Sequence, residues 1–165
     1  MTTSGEAATP TGGWLDDQER AAWLGVAALL FRLPTALDNQ LERDAGVTLF
    51  EYVVMARLSE QPSHRLHMSD LAVLANGSRS RLSHTVRRLA AKGYMRKEAD
   101  PEDGRYTDAI LTETGYQLVI RAAPAHVETV RRLLVDAVTR EQLGHLADVG
   151  NRVLSRIDPE ASWPP

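Results

Sequence analysis

A chain of 165 residues with 43% hydrophobic and 25% charged residues suits one globular domain, or one domain with helical extensions, and is too apolar for a disordered chain. It contains no cysteine, which excludes disulfides, thiolate metal sites and thiol-based redox sensing. The net charge of −3 argues against a polyanionic partner, yet seven bases and no acid occupy the nineteen positions from Arg79 to Lys97, leaving the remainder strongly acidic. A positive patch on an acidic body can grip a polyanion while the rest of the surface repels it.

Residues 1–13 lack both a basic start and an apolar stretch, so they read as a disordered tail and not a signal peptide. No later run is read as approaching the roughly 18 apolar residues of a membrane span, and a cytoplasmic protein without a membrane partner is expected. From Asp16 to Asp44 a stripe of Ala22, Val26, Leu29, Leu30, Leu33, Leu37 and Leu41 predicts a long amphipathic helix, kinked at Pro34. Thr48 and Glu51 form a capping box opening a second helix, which stops at Gln61-Pro62. Ser69 is expected to cap a short helix from Asp70 to Ala75, followed by a turn at Asn76-Gly77. Ser78 caps a further helix ending at Lys92, with Gly93 in the left-handed position. Two strands, Tyr94 to Ala99 and Tyr106 to Leu111, then form a hairpin. Thr112 starts a long helix through Leu134, bent at Pro124, and Thr139 with Gln142 caps a last helix running to Ile157.

A short helix, a turn and a basic second helix read as a helix-turn-helix, and the hairpin directly after it reads as a wing. In the second helix Leu82, Val86 and Leu89 share one side, while Ser80, His84, Arg87 and Arg88 share the other, with Arg81 and Ser83 on the flanks. Ordinary surface helices mix opposite charges three or four residues apart, whereas this one has no acid and its cations repel unless a polyanion neutralises them. Serine, histidine and arginine also suit the donors and acceptors of the major groove.

The hairpin turn, EADPEDGRYTD, invites comparison with a calcium loop. Counting from Asp100, however, the glycine needed at position 6 falls at position 5 and position 12 is Leu111, so that reading fails. The turn reads better as a wing tip shaped by Pro101 and Gly104, with Asp103 orienting the Arg105 guanidinium for a narrow minor groove. No phosphate loop, nucleophile elbow or zinc-protease motif is present, so neither an enzyme nor a cofactor is expected. His64 and His67, three apart, lack the cysteine or acid pair of a metal site, and none is expected. His126 and His145 read as surface or interface residues.

From about Asp16 to Ile157 the chain resembles the MarR family of transcriptional regulators. The resemblance is most specific in Leu71-Ala72, Arg88-Leu89 with Lys92-Gly93, Asp103-Gly104-Arg105, and Leu111-Thr112 with Gly115. It implies a mainly α fold with a small β-hairpin wing, a winged helix-turn-helix core flanked by N- and C-terminal dimerisation helices. The chain then divides into a tail (1–13), an N-terminal dimerisation helix (14–47), a DNA-binding domain (48–112), C-terminal dimerisation helices (113–158) and a tail (159–165). The expected function is regulation of transcription, most simply repression, by a homodimer on a pseudo-palindromic operator in double-stranded DNA. Arg79, Ser80, Arg81, Ser83, His84, Arg87 and Arg88 would serve the major groove, and Arg105 with Asp103 the minor groove. Where wings of the family often carry two adjacent arginines, Gly104 precedes Arg105 here. Release by a small aromatic or anionic ligand is implied too, with Trp23 a candidate pocket residue. A winged-helix module that binds a protein instead of DNA is the alternative.

Overall fold

A computed structural model describes residues 13–100 and 103–158. The expected tails, apart from Gly13, and the turn residue Pro101 lie outside the described residues. The chain divides into two compact units, Met1–Thr35 and Ala36–Pro165.

The first helix, α1, is Asp17–Ala45 and passes without interruption through Pro34. Asp16 begins it as a reciprocal cap: its carboxylate accepts from the Glu19 amide (2.8 Å) while Glu19 accepts from the Asp16 amide (2.9 Å). An 18-residue stretch of α1 is apolar enough, by length and composition, to cross a membrane, which corrects the expectation that no run approaches one. The periodic stripe understates this helix because Trp23, Leu24 and Phe31 lie off it and are apolar as well. In the first unit Trp23, Leu24, Leu29, Leu30 and Phe31 are all exposed, Phe31 by 78%.

The second unit holds the core. Helix α2, Leu49–Ser59, opens with the expected capping box, in which Thr48 accepts from the Glu51 amide and Glu51 from the Thr48 amide. Asp38 accepts from another free amide at this end, that of Leu49, at 2.6 Å. A three-residue strand, β1, Arg65–His67, leads directly into α3, Met68–Leu74. The expected Ser69 cap is therefore corrected. His67 occupies the N-cap position without a side-chain cap bond, because its ring is engaged elsewhere, and Ser69 lies inside the helix, bonded to Asp70.

Helix α4, Arg79–Ala91, begins and ends as expected: Ser78 accepts from the Arg81 amide, and Gly93 has φ 75°. Strands β2, Met95–Ala99, and β3, Thr107–Leu111, form the hairpin, and β1 joins it in the antiparallel order β1-β3-β2. Helix α5, Glu113–Leu133, is capped by Thr112 and contains Pro124 without interruption. A single 3₁₀ turn, Val135–Ala137, then precedes α6, Arg140–Ile157, which carries the expected Thr139–Gln142 capping box.

The core gathers Leu41, Val54, Met55, Leu58, Leu71, Leu82, Val86, Leu89, Ala109, Leu111 and Leu118. Helices α2, α3 and α4 thus pack against one another and against the sheet, and α2 packs on α5. At roughly 1.5–3 kcal/mol for each fully buried aliphatic side chain, this cluster is the main support of the helix-turn-helix. His126 belongs to this packing: it contacts the Tyr52 ring and the Gln40 amide oxygen, and burial lowers its pKa. His145 is exposed.

Candidate nucleic-acid interface

The spacing of leucine and valine in α4 decides which residues it presents. Leu82, Val86 and Leu89 are fully buried, and the opposite face exposes Arg79, Ser80, Arg81, His84, Arg87 and Arg88, with Ser83 half-buried. These residues come together on one acid-free surface. Arg79 and Arg87 form no ion pair among the described residues.

Arg81 and Arg88 carry second contacts that fix their directions. The Arg81 guanidinium lies 3.9 Å from the centroid of the Phe50 ring, a cation–π contact. Phe50 in turn fills the space beside Gly77, where an added Cβ would fall 2.6 Å from its ring. Gly77 therefore does more than turn the chain, since it seats the ring on which Arg81 rests. Arg88 approaches Glu51, a carboxylate 1% exposed, at 3.1 Å, and Lys92 lies 3.8 Å from its other oxygen. The Arg88 contact lacks hydrogen-bond geometry, so Glu51 holds it by charge. Glu51 is legible in the sequence as a cap residue, but its second role as anchor for α4 is visible only after folding. A cavity of about 420 Å³ adjoins this face, lined by Thr48, Phe50, Arg81, His84, Thr85 and Arg88, with the single carboxylate of Asp38. Trp23 is exposed in the first unit.

The wing brings Asp103 and Arg105 together as expected. Arg105 donates from Nε to Asp103 Oδ1 at 2.9 Å and from its terminal nitrogen to Oδ2 at 2.6 Å, and its backbone amide donates to Oδ1 at 3.1 Å. The bidentate pairing lowers the pKa of Asp103 and raises that of Arg105, mainly through the side-chain hydrogen bonds. The Arg105 side chain nevertheless stays 86% exposed, so a charged group is oriented without being withdrawn from solvent.

The sheet face away from the core carries an ion network that sequence reasoning missed. In the register His67 stands opposite Asp108, and Glu98 opposite Asp108 from the other side. His67 Nδ1 lies 2.7 Å from Asp108 Oδ1, and the Arg65 guanidinium reaches Asp108 Oδ2 at 3.2 Å and Glu98 at 3.0 Å. Arg96 pairs with Glu98 as well. Asp108 is only 1% exposed, and its two basic partners satisfy it. Asp100 joins at the end of β2, 3.7 Å from His67 Nδ1. With a guanidinium already on Asp108, the cluster of His67, Asp100 and Asp108 is an ion-pair network. His64, by contrast, stacks on Tyr116, so the two histidines serve separate contacts.

Comparison with known proteins gives a consistent result. The sequence pattern of the MarR family matches residues 47–107. The chain is 39% identical to a MarR family transcriptional regulator from Streptomyces coelicolor solved in complex with DNA, with a TM-score of 0.86 over 92% of this chain and 98% of that one. It is 32% identical to AbsC, a MarR family transcriptional regulator from the same organism, with a TM-score of 0.85 over 90% and 100% of the two chains. The transcriptional repressor MprA of Escherichia coli K12 is 21% identical over 120 residues, 73% of this chain and 68% of that protein. With the acid-free face of α4, the hairpin after it and a relative of this identity matched over nearly its whole length, the chain belongs to the MarR family of transcriptional regulators.

Proposed function

We propose that this regulator represses transcription by binding a pseudo-palindromic site in duplex DNA as a homodimer. One observation carries the reading: α4 exposes arginines, a serine and a histidine with no acid among them, beside an arginine held outward on the wing. In this reading Arg79, Ser80, Arg81, Ser83, His84, Arg87 and Arg88 enter the major groove, and Arg105, oriented by Asp103, enters the minor groove. Arg79 and Arg87, without ion pairs among the described residues, are the most available for bases or phosphates, while Arg81 and Arg88 are pre-oriented by Phe50 and Glu51. The DNA-bound relative supports the assignment. Residues 48–112 act as the DNA-binding domain and 14–47 with 113–158 as dimerisation segments, the latter supported by the exposed apolar residues of α1 and of α6.

The cavity beside α4 favours release by a small aromatic anion. Phe50 offers a ring face, and Arg81, His84 and Arg88 offer positive charge drawn from the same side chains that would meet DNA. Such a ligand and DNA would compete for the arginines.

The deciding experiment is a fluorescence-anisotropy titration of duplexes from the promoter region of its own gene, at two salt concentrations. Sequence-selective binding that weakens steeply with salt is expected, since each neutralised phosphate releases counterions. Binding that is absent or indifferent to sequence and salt would favour a protein-binding winged-helix module.

A further inference from the structure

The wing tip leaves the sheet through a neck formed by Asp100 and Tyr106, and the contacts there form a chain. The Asp100 amide donates to the Tyr106 carbonyl at 3.0 Å, and the Tyr106 amide donates to the Asp103 carbonyl at 3.0 Å. The Asp100 carboxylate accepts from the Asp103 amide at 2.8 Å, and Asp103 grips Arg105. Asp100 therefore orients the residue that orients the arginine.

His67 meets both sides of this neck from a different element. It sits at the end of β1, immediately before α3, and its ring centroid is 5.4 Å from that of Tyr106. Its Nδ1 is 2.7 Å from Asp108 and 3.7 Å from the Asp100 oxygen not used by Asp103. The charged groups facing it are Asp108 from β3, Asp100 from the end of β2 and Asp70 from α3. On β1, Arg65 holds the other oxygen of Asp108. The carboxylates outweigh the single guanidinium, and the His67 pKa is raised above the ordinary histidine value, the Asp108 hydrogen bond being the largest cause. A neutral ring could keep the Nδ1–H bond to Asp108. The attraction to Asp100 needs the second proton, because it acts between charges at 3.7 Å.

We infer that His67 is a positioning residue for the wing arginine: as an imidazolium it ties Asp100 to the start of α3 and so fixes Asp103 and Arg105 for DNA. The inference rests on the proposed role of Arg105 in DNA binding. The sign follows from the chemistry. Protonation is favoured in the ordered wing, so the contribution to affinity is complete below the ordinary histidine range and fades as pH rises through the raised value.

The test uses the full chain and a bound duplex, with anisotropy measured from pH 6.0 to 8.5 at constant ionic strength. His84→Gln serves as the background, so that no histidine remains on the exposed face of α4. Affinity in this background is expected to fall by about threefold to tenfold across the range. Asp100→Asn keeps an acceptor for the Asp103 amide and leaves the His67–Asp108 pair intact, so it removes only the charge. It should flatten the profile to the level of the high-pH limb, and His67→Asn should do the same. In an Arg105→Ala background neither substitution should alter affinity further. An unchanged profile in Asp100→Asn, or an equal loss with and without Arg105, would overturn the positioning role even if Arg105→Ala alone weakens binding. Arg105→Ala without effect would instead overturn the wing reading on which the inference stands.

Discussion

Arg105 is costly to leave exposed and ordered unless something uses it, since a free arginine keeps its rotamer entropy and its water. Asp103 supplies that order with a bidentate pair. Arg105→Ala is expected to weaken DNA binding by about 1–3 kcal/mol, measured by anisotropy, with the thermal midpoint little changed because the side chain is 86% exposed and its pair with Asp103 lies at the surface. Gly115 is a residue of the opposite kind, important to the fold through what it packs against. A Cβ there would lie 2.2 Å from the Tyr94 carbonyl oxygen and 2.8 Å from Leu111 Cδ1, where backbone cannot yield cheaply. Gly115→Ala should cost at least about 1–3 kcal/mol in urea denaturation, by overpacking the junction of wing and α5. That glycine is visible in the sequence as part of the family pattern, but the atom it avoids is not.

At the level of elements, α4 is defined by its ends and its inner stripe. Ser78 accepts from the Arg81 amide, and Gly93 adopts φ 75° just past the last turn. Ser78→Ala should lower stability by about 1 kcal/mol, seen as a shifted denaturation midpoint, while the arginines keep their positions once the helix is folded. Caps at Ser78, Thr48, Thr112 and Thr139 were all legible because capping is local chemistry. The exception is α3, where Ser69 looks like a cap and is not one. A strand of three residues is too short to show alternation, so β1 left no signal, and it is β1 that delivers the chain to α3 two positions earlier. The 3₁₀ turn at Val135–Ala137 was hidden in the same way, by an apolar pattern that continued through it.

At the level of the whole molecule, the exposed apolar residues are the observation behind the proposed homodimer. Trp23, Leu30 and Phe31 in the first unit are exposed, as are Val149, Val153 and Ile157 of α6, a helix with no buried residue among its own. Monomeric soluble proteins rarely leave such patches uncovered, and closed two-fold assembly is the commonest remedy. Sedimentation or light scattering is expected to give twice the 18.2 kDa chain mass. Phe31→Glu should shift the equilibrium toward monomer and reduce DNA affinity with it. The core of the second unit should stay folded, because Phe31 is 78% exposed. A mass of one chain at working concentrations would remove the dimer from the proposal.

The sequence by itself determined the helical periods, three of the caps flanking the DNA-binding core, the hairpin and the charge segregation of α4, because each depends on residues within a few positions of one another. Only the tertiary structure decided which of the exposed arginines are already held. Glu51 reaches Arg88 across 37 positions, Phe50 underlies Arg81 across 31, and β1 brings His67 beside Asp108 across 41. Such contacts are set by how helices and strands stack, and a burial pattern read along the chain carries no record of which neighbour will stand opposite. The Asp103–Arg105 pair, two residues apart, was legible for the same physical reason that the His67 network was not.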